Sequence, residues 1–71
     1  MISETERKLM KRLKIIWNDR NFVCGVMSGL RQANRVDNML EFLLMAERRE
    51  EKYTPDQVMA LTITLRKQGN Q

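Results

Sequence analysis

Tyr53-Thr54-Pro55-Asp56-Gln57-Val58 reads, position by position, as the start of a helix. Thr54 sits where a hydroxyl can accept from the orphan N–H groups of the first turn, and Pro55 needs no N–H there. Asp56 complements the positive end of the helix dipole. Gln57 stands three residues after Thr54, the spacing at which each can bond the other's backbone, and Tyr53 can staple onto Val58. Val58, Leu61, Thr62 and Leu65 follow at helical spacing as a core stripe. Arg66 and Lys67 suit a last turn, and Gly69 suits a C-cap. The expected helix spans 55–67.

Working backward, Val36, Met39, Leu40, Phe42, Leu43, Leu44 and Ala46 cover more than half the circumference of an expected helix over 36–51. A helix apolar nearly all round is expected to be central and buried. Asn34 or Asp37 is its expected cap, and Glu47-Arg48-Arg49-Glu50-Glu51-Lys52 its solvated end. A helix over 21–33, capped by Asp19 or Asn21, buries Phe22, Val23, Val26, Met27 and Leu30. Gly25 and Gly29 lie one turn apart inside it, each costing about 1 kcal/mol relative to alanine. Either another helix approaches closely there, or the segment is broken. A first helix over 3–18 starts with Ser3 and Glu6 at capping-box spacing. Leu9, Leu13, Ile16 and Trp17 form its stripe. The expected fold is therefore all-α: one domain over 1–71, a compact bundle of four short helices, or three if the second segment is broken.

The short helices match what composition bounds. Seventy-one residues bury only about 60% of their unfolded surface, a marginal core. A small domain often adds a disulfide, a metal or a second subunit. One cysteine, Cys24, excludes an internal disulfide, and the absence of histidine leaves a poor zinc ligand set. Helix packing or self-association remains. A lone cysteine suits a reducing compartment. Met1-Ile2-Ser3-Glu4-Thr5-Glu6 has no apolar run of the kind a secretory signal carries. The apolar stretch around Leu43–Ala46 is far short of the roughly 20 residues a membrane span needs. The expectation is a cytoplasmic protein without membrane partners.

No catalytic constellation is expected. Cys24, Ser3 and Ser28 lack a histidine base, and Cys24 is expected to be a small packing residue. Glu47, Glu50 and Glu51 sit among Arg48, Arg49 and Lys52, as a solvated face does. Gly25-Val26-Met27-Ser28-Gly29 lacks the lysine and the preceding strand of a phosphate loop. An enzyme, a cofactor, a metal or a small-molecule substrate is therefore not expected.

Two binding functions remain. Met45, Met59, Ile63 and Ile15 fall off the assigned core stripes and are candidate protein-interface residues, since a contiguous apolar patch marks an interface. Met10, Met27 and Met39 read instead as core filler. The expected function is a helical interaction or regulatory module that binds protein, beginning with itself as a two-fold homodimer. The alternative is a DNA- or RNA-binding protein. Thirteen basic and nine acidic residues give net charge +4, with a local excess at Arg7, Lys8, Lys11, Arg12 and Lys14 on one side of the first helix. A shared patch of Met45, Met59 and Ile63 would favour the first function, and a surface merging Arg7, Lys11, Lys14, Arg31 and Arg35 the second. No polar recognition helix accompanies that face, and a helix-turn-helix register with its turn at Gly29 puts Arg35 and Asn38 at buried positions.

Overall fold

Three of the four helix starts are fixed by side-chain caps. In the computed structural model, which describes residues 2–69, α1 spans Glu4–Ile16, α2 Arg20–Ala33, α3 Val36–Arg48 and α4 Pro55–Gly69. No strand occurs among the described residues. Ser3 Oγ accepts from the Glu6 N–H at 3.1 Å. Asp19 Oδ1 accepts from the Phe22 N–H at 3.0 Å. The Thr54–Gln57 capping box is complete: the Gln57 N–H donates to Thr54 Oγ1 at 3.2 Å, and the Thr54 N–H to Gln57 Oε1 at 2.9 Å. The expected box at Ser3 forms by half. The Glu6 carboxylate instead takes Arg31 of α2, at 3.1 Å, so a charged partner engages it.

The start of α3 departs from expectation. Neither Asn34 nor Asp37 caps it; Arg35 stands at the N-cap with no side-chain bond. Asn34 closes α2 instead, in the left-handed region at φ 56°. Its N–H reaches Arg31 O and that of Arg35 reaches Leu30 O, the paired bonds that satisfy the last carbonyls of a helix. Asparagine tolerates that conformation better than most residues. The same device ends α3 earlier than expected. Glu50, at φ 57°, donates to Glu47 O, and Glu51 donates to Ala46 O. At the other end of the chain, Gly69 is still helical and has no positive φ, so it does not serve as the expected left-handed cap.

The most extensive packing joins alternate helices, α2 with α4 and α1 with α3. Gly29 of α2 lies against Thr62 and Arg66, and Gly69 of α4 lies against Ala33. α2 and α4 therefore run the same way. One core unites all four helices: Leu9 and Leu13; Phe22, Val23, Val26, Met27 and Leu30; Met39, Leu40 and Leu43; Val58 and Leu65. Met10, Ile16, Val36, Leu44, Tyr53 and Leu61 pack around it, half-buried. Thr62 is buried with its hydroxyl donating to Val58 O at 2.7 Å, which satisfies it locally.

Full burial of α3 does not occur. Met39, Leu40, Leu43 and Ala46 are buried, while Phe42 and Met45 are exposed. Its three neighbours cover one side, and no helix lies across the other. Cys24 is likewise exposed rather than a packing residue, on the side of α2 away from its buried stripe. Among the described residues no helix is long and apolar enough to cross a membrane.

Candidate docking groove between α2 and α4

The two glycines of α2 have different surroundings. A Cβ built on Gly29 meets Arg66 Cδ at 3.0 Å and Thr62 Cγ2 at 3.6 Å, so side chains of α4, not its backbone, lie against it. A Cβ built on Gly25 meets nothing within 4 Å. Side chains of α4 occupy the space beside Gly29, and nothing in the chain occupies the space beside Gly25. An open groove of about 460 Å³ runs between α2 and α4, with Gly25 in its lining. Phe22, Gly25, Val26 and Thr62 line it toward the core, with Met59, Ile63 and Trp17 as its more exposed apolar lining.

Met59 is 48% exposed and Ile63 53%, one turn apart on the same face of α4. Both were expected to fall off the core stripe, and both do. Trp17, 47% exposed, was assigned to the core stripe of α1. It sits instead at the C-cap of α1 with extended backbone. With extended backbone there, the helical periodicity that groups Leu9 and Leu13 no longer applies to it. Its ring lies 5.2 Å from that of Phe22, tilted by 44°, an arrangement aromatic pairs favour.

The groove carries one charge of each sign, at opposite ends. Asp19 caps the start of α2, and Arg66 lies against Gly29. Ten residues of helix separate positions 19 and 29, about 15 Å along the axis. The ion pairs formed among the described residues are Arg7–Glu4, Arg12–Glu47 and Arg31–Glu6, so neither Asp19 nor Arg66 has an intrachain salt-bridge partner there.

The other candidate interface residues lie elsewhere. Met45 lines a small hollow with Asn38, Glu41 and Phe42, all on α3. Ile15, 81% exposed, borders a hollow of about 280 Å³ between α1 and α3 that also carries Arg12, Glu47, Glu51 and Lys52. Neither hollow shares a residue with the α2–α4 groove.

On the basic side of α1, Arg12 is drawn into the fold. Its Nε donates to Glu47 at 2.8 Å and its Nη1 to Lys8 O at 3.1 Å. Arg7 faces Glu4 at 4.0 Å. Lys8, Lys11 and Lys14 are exposed without an ion-pair partner among the described residues. Arg31 is committed to Glu6, and Arg35 is half-buried with its guanidinium on Asn34 O. No group of three or more Cys, Asp or Glu that could hold a metal ion occurs among the described residues.

No protein-family model matches the chain, and neither the curated proteins nor the solved structures include a match to it.

Proposed function

We propose that this chain is a non-enzymatic protein-interaction module that self-associates through the α2–α4 groove. The observation that carries the reading is the groove itself. Two large apolar side chains, Met59 and Ile63, stand half out of the surface beside an exposed indole, around a glycine that nothing in the chain requires. Scattered exposed apolar residues are ordinary, but a grouped set lining one concavity is what an interface presents. Covering it in a partner is favourable at roughly 25 cal/mol per Å² of apolar surface. A small core has little stability in reserve, which adds to the advantage. The free cysteine accords with a reducing, cytoplasmic setting.

Sedimentation equilibrium over a wide concentration range tests this. The expected mass climbs from 8.5 kDa toward twice that value, and stays at 8.5 kDa in Met59→Lys plus Ile63→Lys. A wild-type mass of 8.5 kDa at every concentration refutes self-association. An undiminished dimer in the double variant refutes the groove.

A further inference from the structure

We infer that the two copies dock groove to groove about a two-fold axis passing beside Gly25, with Asp19 of each copy paired to Arg66 of the other. This rests on the self-association reading above and adds its geometry. A two-fold interface uses the same patch twice, so the patch must complement itself. A groove with a uniform apolar middle and opposite charges at its two ends does so when one copy is turned end for end. Asp19 and Arg66 are those charges, and neither is spent in a salt bridge among the described residues of its own chain. Only Oδ1 of Asp19 caps α2; the other oxygen is left for a partner. A uniformly acidic ligand, helical or nucleic, suits Arg66 and is repelled by Asp19.

Gly25 fixes where the axis falls. Asp19 lies at the start of α2, and Arg66 lies level with Gly29. The midpoint of positions 19 and 29 is residue 24, beside Gly25. On a two-fold axis each group meets its own copy, so a side chain there would hold the two α2 helices apart. Within one chain nothing calls for glycine at this place: the Cβ position is open and the residue has no positive φ. Packing of a second α2 supplies the reason that the single chain lacks. The charged ends and the bare midpoint are separate observations, and they specify the same register.

A double-mutant cycle on dimer dissociation tests the pairing, with Asp19→Asn, Arg66→Gln and the two combined, measured by sedimentation equilibrium at low salt. Asparagine caps a helix about as well as aspartate, so α2 keeps its start. Each single change removes both symmetry-related ion pairs and weakens the dimer roughly two- to thirtyfold. The combined variant is expected to be no weaker than either single one. Losses that multiply, or no loss at all, overturn the register while leaving self-association standing. A chain that is monomeric throughout overturns both. Gly25→Leu checks the axis independently. It is expected to keep the helical circular dichroism of the wild type and to lose the dimer, and a dimer that survives it places the axis elsewhere.

Discussion

Nε of Arg12 donates to Oε1 of Glu47 across 2.8 Å, tying the basic side of α1 to the last turn of α3. That contact divides α1's cations into those the fold uses and those it leaves to solvent. Lys8, Lys11 and Lys14 belong to the second group, and three phosphate contacts make a shallow electrostatic footprint. Binding to duplex DNA is expected to be weak, sequence-independent and steeply lost as salt rises from about 50 to about 200 mM. Lys8→Glu plus Lys11→Glu should abolish what remains without altering thermal stability. Arg12→Glu should lower stability as well, because it sets two carboxylates against each other. Tight, sequence-selective binding at physiological salt, read by fluorescence anisotropy, would contradict this division.

Thr54→Ala removes one half of the complete capping box and is expected to destabilise the fold by about 1 kcal/mol. Urea denaturation measures it. An unchanged midpoint would mean that the start of α4 does not depend on this cap.

Glu50 occupies the left-handed region that glycine adopts without strain. Glu50→Gly should therefore raise stability by roughly 0.5–1 kcal/mol, the strain relieved exceeding the added freedom of the unfolded chain. A lower urea midpoint in this variant would argue against the turn that follows α3.

The two ends of α3 show why the sequence was legible in some places and not in others. Ser3 and Thr54 are good cap residues just before apolar periodicity, so two helix starts could be read directly, whereas the second helix offered both Asp19 and Asn21 and the fold uses Asp19. Asn34 is a residue type favoured both before a helix and after one, and its position between two apolar stripes does not say which. Glu50 has no sequence signal as a left-handed residue, because glycine is the usual choice there. The off-stripe positions of Met59 and Ile63 were legible from the 3.6-residue period. Trp17 was missed because periodicity assumes the helix continues, and α1 ends one residue before it. The available clue was the polar Asn18-Asp19-Arg20-Asn21 stretch next to it. The different surroundings of Gly25 and Gly29 depend on how α4 lies across α2, which no local pattern encodes.

A third glycine sets up a contrast with Gly25. A Cβ on Gly69 would run into Ala33 O, a backbone atom that no side-chain movement can clear. Gly69→Ala is expected to displace the end of α4 and to lower the melting temperature. Gly25→Ala meets open space on a helix and should stabilise the isolated chain by up to about 1 kcal/mol. Measured at concentrations where the chain is monomeric, the two substitutions should shift the melting temperature in opposite directions. Equal shifts would mean that the packing of α4 on α2 differs from that described.

Trp17 is the chain's one tryptophan, and it lines the groove, so its emission reports on that surface alone. The most direct test of the groove as the docking surface is that emission followed as the protein is concentrated, alongside its mass. Excluding water from a half-exposed indole moves its emission to shorter wavelength. The account predicts a blue shift that is reversed by dilution, shares its midpoint with the doubling in mass and is absent in Gly25→Leu. A doubling in mass with Trp17 emission unchanged would place the interface away from the groove and contradict the account.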